Sequence, residues 1–178
     1  MKARFVPAWV FVALAMSVGT AAAQDARDLR LAADITRAID GYVHLTIFDS
    51  VGARIESGEV VLSGKVTMPF KKSDVEKKVA RVDGVRGVRN EISVLPVSRA
   101  DDELRYRVAR AIYGNPSFWN YAARANPPIH VIVEHGRVTL TGVVNSNVER
   151  MLARSLATGL GELSVTNDLR TDAEVRSE

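Results

Sequence analysis

Apolar residues recur along this chain with two different periods. Leu31, Ile35 and Ile39 stand at every fourth position, which predicts a helix with one buried stripe. From Arg137 to Val144, apolar residues and one glycine alternate with arginine and threonine, which predicts a strand with one buried face. Both patterns occur in each half of the chain, so helices and strands are predicted in both halves.

The two halves carry nearly the same sequence. The motif G-E-V-V-L-S-G-K-V at 58–66 returns as G-R-V-T-L-T-G-V-V at 136–144. The stripe of the first predicted helix returns as well, as Leu104, Val108 and Ile112. A repeat on this scale indicates a tandem duplication of one structural unit.

Each unit is predicted to contain two helices. Asp28 in the first unit, and Asp101 or Asp102 in the second, are predicted to cap the first helix. A second helix follows the strand pair. Its buried stripe is predicted at Val75, Val79 and Val82 in the first unit and at Val148, Leu152, Leu156 and Leu160 in the second.

Three strands complete each unit. The pair His135-Gly136 predicts a tight hairpin turn, because glycine readily adopts a positive φ. Gly64 and Gly142 fall inside strands and are interpreted as helix-packing or bulge sites. The third strands are predicted from Val88 to Val94 and from Val165 to Leu169. The predicted fold class is α+β: two tandem αββαβ units, each a small three-stranded sheet with two helices packed on one face.

The start of the chain predicts export. Residues 1–23 combine a basic start, an apolar run from Phe5 to Val18 and a small-residue site, and they predict a signal peptide cleaved after Ala23. No other apolar run reaches membrane length, so no transmembrane span is predicted in the mature chain. The absence of cysteine excludes a lipoprotein. We expect a periplasmic protein with units at 28–96 and 101–172.

Charge gives little support for a nucleic-acid partner. The formal net charge of +3 includes Lys2 and Arg4 of the predicted signal peptide, so the mature chain is close to neutral. Nucleic-acid-binding domains usually carry a clustered basic face. The densest basic cluster, Lys71-Lys72 with Lys77-Lys78, is broken by acidic residues and is interpreted as a solvated helix face.

The paired motifs resemble a known bacterial module. The signatures G-E-V-V-L-S-G-K-V with G-V-R-G-V-R-N-E-I, and G-R-V-T-L-T-G-V-V with N-x-L, are similar to the BON domain of osmotically inducible periplasmic proteins and nodulation-related proteins. The resemblance runs from Asp28 to Thr171. It implies an exported envelope protein associated with phospholipid surfaces, outer-membrane integrity or osmotic stress, and no established enzyme activity.

The connection from Asn115 to Pro128 in the second unit has the most unusual composition. It contains Phe118, Trp119 and Tyr121 together with Arg124. Amphipathic aromatic rings beside a cation suit the headgroup zone of a bilayer, so these four residues are the candidate lipid- or partner-binding site. The alternative is that the rings fill the gap between the units or cover the end of the second core.

No catalytic or metal site is predicted. His44, His130 and His135 have no cysteine or further histidine nearby to complete a zinc site. No serine or other nucleophile stands in a recognisable motif beside a histidine. We therefore expect a non-enzymatic protein without a cofactor.

Two functions remain. The first is an envelope module that docks on phospholipid membrane surfaces and supports envelope integrity or the stress response. The alternative is a periplasmic protein-protein interaction or scaffold module without lipid binding, which would use an exposed strand edge to bind an envelope protein.

Overall fold

The two predicted units are present and share one architecture. The computed structural model describes residues 18–56 and 59–177 of the 178-residue chain, with side chains from residue 27 onwards. Residues 1–17 of the predicted signal peptide and Gly58 of the first motif lie outside the described residues.

The first unit is built from two helices and a short-stranded sheet. Its elements are α1 (Val18–Asp40), β1 (Ser50–Glu56), β2 (Glu59–Val66), α2 (Pro69–Val79), β3 (Gly87–Asn90) and β4 (Ser93–Val94). The second unit repeats this order with an inserted helical segment. Its elements are α3 (Arg99–Tyr113), a 3-10 turn (Pro116–Phe118), α4 (Trp119–Ala122), β5 (Ile129–Glu134), β6 (Arg137–Val144), α5 (Asn147–Leu156), β7 (Ser164–Thr171) and α6 (Asp172–Arg176).

The long strand of each motif is the centre of its sheet. β2 pairs antiparallel with β1 and parallel with β3 and β4, while β6 pairs antiparallel with β5 and parallel with β7. The parallel pairs require the helical crossovers α2 and α5. The predicted αββαβ order is confirmed.

Both helices of each unit pack on one face of its sheet. In the second unit, apolar residues of α3 and α5 form a core with the inward-facing residues of the strands, and this core includes Leu104, Val108, Ile112, Val131, Leu140, Ala153 and Leu169. The corresponding core of the first unit includes Ile35, Ile39, Val60, Leu62, Val66, Val75 and Val79. The predicted two-layer arrangement is therefore present twice.

The predicted helix caps are wrong. α1 begins at Val18, so Asp28 lies inside the helix. α3 is capped by Ser98, whose hydroxyl accepts a hydrogen bond from the backbone N of Asp101. The Asp101 carboxylate instead accepts hydrogen bonds at 2.8 Å from the backbone N of His135 and of Gly136. Asp101 thus ties α3 to the predicted hairpin turn, where both residues have a positive φ.

The second helix of the second unit also differs from its prediction. α5 ends at Leu156, so Leu160 lies beyond it. Val148 is 75% exposed, whereas Ala153 and Ala157 are fully buried. The fully buried positions are therefore Ala153 of α5 and Ala157 directly after it, and the first apolar residue of the helix faces solvent.

A buried ion pair holds the loop between α1 and β1. Asp49 is 1% exposed and Lys71 is 5% exposed, and the Lys71 Nζ lies 2.6 Å from the Asp49 carboxylate. Thr46 and Thr67 each donate a backbone and a hydroxyl hydrogen bond to the same carboxylate. The interpretation of Lys71 as part of a solvated face is wrong, since this lysine neutralises a buried carboxylate.

The strand glycines are required by the neighbouring strand's backbone. Gly142 has a φ of +116°, and a Cβ there would lie 1.8 Å from the Pro128 carbonyl oxygen; at Gly64, with a φ of +124°, a Cβ would lie 2.0 Å from the Ser50 carbonyl oxygen. The close contact is with the first residue of β1 at Gly64 and with the residue directly before β5 at Gly142, and not with a helix, so the helix-packing interpretation is wrong.

We expect Gly142→Ala to lower the free energy of unfolding by about 1–3 kcal/mol or more, because the left-handed backbone and the clash with the Pro128 carbonyl add together. Gly159→Ala is the matched control, since Gly159 also has a positive φ but no atom lies within 4 Å of the point that an added methyl group would occupy. Urea unfolding of both variants measures the difference. Equal losses would contradict the contact with Pro128.

Candidate functional site

The connection 115–128 folds into two successive helical turns. The Asn115 side chain accepts a hydrogen bond from the backbone N of Ser117, and Pro116 fits the first position of the 3-10 turn. Phe118 and Tyr121 fall on the same side of these turns and are almost completely buried, with ring centroids 5.8 Å apart. These two predicted site residues are therefore part of the core of the second unit.

Tyr121 fastens the segment to the start of α5. Its hydroxyl donates to Oε2 of Glu149 at 2.7 Å and accepts from the backbone N of Asn145 at 2.9 Å. Burial, together with the hydrogen bond to Glu149, raises the pKa of Tyr121 to about 12. The hydroxyl therefore remains a donor at any physiological pH and keeps the segment in place.

Trp119 and Arg124 remain at the surface. Trp119 is 75% exposed, although it lies directly after the fully buried Phe118. Arg124 is exposed, and its guanidinium carbon lies 5.2 Å from the centre of the Tyr121 ring. The segment thus presents an indole and a cation to solvent from a backbone held by two buried rings.

The outer side of α5 also presents exposed apolar and basic residues. Val148 and Met151 are exposed apolar residues of α5, and Arg154 is exposed one turn after Arg150. A shallow depression of about 710 Å³ lies on this side of the helix, and its lining includes Arg150, Met151, Arg154 and Asn167. Because Tyr121 bonds to Asn145 and Glu149, Trp119 and the first turn of α5 lie at the same end of the unit. We call Trp119, Arg124, Val148, Met151 and Arg154 the docking face.

A family model matches both units. The BON domain model matches residues 27–96 and 100–173. This chain belongs to the BON domain family. BON domains are envelope-associated and generally non-catalytic modules. No curated protein matches the sequence.

Solved structures show a weak likeness. One match is CdsD, a structural protein of the type III secretion system of Chlamydia trachomatis. Its sequence is 16% identical to this chain, and the superposition has a TM-score of 0.29. The match covers 83% of this chain and 96% of the CdsD chain. The C-terminal domain of CdsD matches with 14% identity and a TM-score of 0.26, covering 76% of this chain and 96% of that one. Scores this low do not bear on the function.

The edge strand of the second BON unit is capped at Ile129, Val131 and Val133. The Tyr113 hydroxyl bonds to both the backbone N and the carbonyl of Ile129. The backbone N of Val131 donates to the carbonyl of Ile47 at 2.7 Å, and the Arg105 guanidinium donates to the carbonyl of Val133 at 3.1 Å. This cap was not predicted from the sequence, where Arg105 is one of four arginines on α3 and no local pattern distinguishes it.

The two BON units are in contact through this edge. Phe48 of the first unit packs on the second core, with its ring centroid 5.0 Å from that of Tyr106. The Asn126 amide donates to the carbonyl of Asp40 at 3.0 Å, and Lys65 pairs with Glu134. Sequence patterns alone could not have placed these pairs together.

A cleft of about 520 Å³ lies between the BON units and includes His130 in its lining. Burial lowers the pKa of His130, against the opposing effect of the Asp49 and Thr46 carbonyls. His130 is therefore neutral near neutral pH. Among the residues that the structure describes, no three histidine, aspartate or glutamate side chains are grouped to hold a metal ion.

No helix within the described ranges 18–56 and 59–177 is both long and apolar enough to cross a membrane. The docking face combines exposed apolar side chains with arginines, which is the composition of a peripheral membrane-binding surface.

Proposed function

We propose that this protein is an exported, non-enzymatic module of the cell envelope that docks on phospholipid surfaces through the second BON unit. The observation that carries the proposal is the exposed indole of Trp119 on a turn that Tyr121 anchors to the start of α5. Export by the signal peptide at 1–23 would place the protein in the periplasm, where the docking would support envelope integrity and the response to osmotic stress.

Exposing the apolar surface of Trp119 to water is unfavourable in free energy, and docking on a membrane would remove that surface from water. Burying a large apolar side chain contributes about 1.5–3 kcal/mol. The indole also has a polar N–H, which suits the interface between acyl chains and headgroups. Val148 and Met151 of α5 are further exposed apolar residues of the docking face.

The arginines of the docking face would add a smaller, salt-dependent attraction. Each basic residue near an anionic surface contributes about 1 kcal/mol. Arg124 and Arg154 are exposed, whereas Arg150 is already paired with Glu174 at 2.9 Å. Because few charges contribute, we expect reversible binding with a modest preference for anionic lipid.

The vesicle experiment uses the mature chain 24–178, in which Trp119 is the only tryptophan because Trp9 belongs to the signal peptide. We expect its fluorescence to shift to the blue on addition of anionic phosphatidylglycerol vesicles, and the protein to sediment with them. Trp119→Ala should weaken partitioning about tenfold or more, since a loss of about 1.4 kcal/mol is tenfold.

Leu163→Ala is the matched control for this experiment. Leu163 is also a large exposed apolar residue of the second unit, at 77%. It contacts Gly136 at the hairpin end of β6, whereas Tyr121 bonds to Asn145 at the opposite end of that strand. Equal losses in both variants, or no sedimentation with anionic or zwitterionic vesicles at low salt, would reject docking through this face.

The protein-interaction function also has one observation in its favour. The edge strand β1 of the first BON unit is open, whereas the corresponding strand β5 of the second unit is capped. This observation does not depend on lipid binding.

A further inference from the structure

The edge strand of the first unit leaves a groove beneath its helix. α1 and β1 enclose a space of about 350 Å³. Its lining includes Ala32, Thr36 and Ile39 from the helix and Val51, Ala53 and Ile55 from the strand. The walls are mostly apolar, and the groove is open to solvent along the edge of β1.

The same region of the second unit is filled. The sheet registers match, since Val51 pairs with Gly64 as Ile129 pairs with Gly142. The three inward-facing positions of β5, Ile129, Val131 and Val133, are completely buried. Their counterparts on β1 are not: Val51 and Ile55 are only half-buried and Ala53 is exposed. The first core is therefore incomplete at this edge.

Main-chain groups differ in the same way. On β5, Tyr113 bonds to both outward backbone groups of Ile129, the Ile47 carbonyl accepts from the N–H of Val131, and Arg105 donates to the carbonyl of Val133. By the shared register, Val51, Ala53 and Ile55 present their main-chain N–H and C=O groups away from β2. Within residues 18–56 and 59–177, no hydrogen bond to these outward groups is seen. Such a row of donors and acceptors is a template for another strand.

Two substitutions between the repeats explain the open groove. Alignment of the helical stripes places Ala32 where the second unit has Arg105, and Asp40 where it has Tyr113. Arg105 and Tyr113 are the two side chains that cap β5. The Ala32 side chain is too short to reach β1. The exposed Asp40 carboxylate has no proton to donate to the carbonyls of β1.

We propose that α1 and β1 of the first unit form a docking site for an extended peptide segment of a partner protein. The segment adds as a strand beside β1, and one large apolar side chain of the segment enters the groove over Ala53. Asp40 lines one end of the groove, close to the C-terminus of α1, where the helix dipole also favours positive charge. The segment therefore carries a lysine or arginine at that end.

The covered edge of the second unit indicates what this occupant must supply. There, the chain at 46–49 gives a main-chain carbonyl to Val131 and inserts the aromatic ring of Phe48 beside α3. The open edge requires the same two contributions, a main-chain partner and a bulky apolar side chain. A second copy pairing its own β1 symmetrically would set Ala53 against Ala53 and leave the centre of the groove empty. A partner peptide with a large side chain fills it.

Native-state amide exchange, followed by NMR on the mature chain 24–178, tests the proposal. The probe is a blocked seven-residue peptide in which threonine alternates with isoleucine, with phenylalanine at the centre and lysine at the end. Without the peptide, we expect the amides of Val51, Ala53 and Ile55 to exchange rapidly and that of Val131 to be protected. A saturating concentration of peptide should slow exchange of the three β1 amides at least tenfold and leave Val131 unchanged.

Ala32→Arg transfers the cap of the second unit to the first and should weaken peptide binding at least tenfold. Ala33→Arg adds the same charge at an exposed neighbour outside the groove lining and should bind as the unaltered protein does. The proposal would be overturned if the β1 amides were protected before any peptide was added, or if the peptide added no protection. Equal effects of the two variants on peptide binding would overturn it too. Protection that increases with protein concentration alone would assign the edge to a second copy and overturn it as well.

Discussion

Phe118→Ala is expected to lower the free energy of unfolding by about 3–5 kcal/mol, whereas Trp119→Ala next to it should change it by no more than about 0.5 kcal/mol. Phe118 is completely buried and stacks on Tyr121, so its removal leaves a cavity between the segment and the second core. Trp119 is exposed and leaves no cavity. Urea unfolding of the two variants measures the contrast.

The same pair of variants separates stability from membrane docking. Trp119→Ala should remain folded and lose vesicle binding, so its defect cannot be attributed to unfolding. Phe118→Ala keeps the indole, so it should weaken vesicle binding only if its cavity disorders the turn that carries Trp119. Similar unfolding free energies for both variants would contradict the assignment of one ring to the core and the other to the surface.

The aromatic segment illustrates what could be predicted from the sequence. Its composition identified Phe118, Trp119 and Tyr121 as a group. Their division between core and surface follows from the helical turns that begin at Pro116, because positions three apart then share a side. The three-residue spacing of Phe118 and Tyr121 therefore indicates which rings share the buried side. Using this spacing requires recognising that the proline-flanked connection is helical.

The repeat predicted the topology because each unit is specified by local patterns. Turn glycines, alternating strand residues and helical stripes all act over short distances along the chain. The repeat could not reveal how the units differ. The buried Arg105 donates to the carbonyl of Val133, far along the chain, whereas Ala32 leaves the equivalent edge open. Such contacts depend on the tertiary arrangement, which no local pattern encodes.

Asp49 and Lys71 show the same limit for charged residues. Lysines interspersed with acidic residues are typical of a solvated helix face, yet Lys71 is almost completely buried. The decisive feature is Asp49, which lies in the loop before β1 and has no counterpart in the second repeat, where proline occurs in the corresponding loop. The ion pair is therefore specific to the first unit.

Lys71→Met is expected to lower the free energy of unfolding by about 3–5 kcal/mol at neutral pH. The substitution leaves the Asp49 carboxylate buried without its cation, and an uncompensated buried charge is strongly destabilising. Lys77→Met is the matched control, because Lys77 is exposed on the same helix and its pairing with Asp74 at 3.8 Å contributes little. Replacing both Asp49 and Lys71 by apolar residues should cost less than the sum of the single changes.

The pair also predicts how stability depends on pH. Burial acts to raise the pKa of Asp49, but hydrogen bonds from Lys71, Thr67 and Thr46 outweigh it and hold the pKa below its usual value. A carboxyl whose pKa is lowered by folding stabilises the protein above its unfolded pKa of about 3.9, and this contribution disappears as the pH falls through the folded value. Unfolding free energies measured from about pH 7 to pH 2 should therefore decrease less steeply for Asp49→Asn than for the unaltered protein. Identical slopes would show that Asp49 has the same pKa in the folded and unfolded chain.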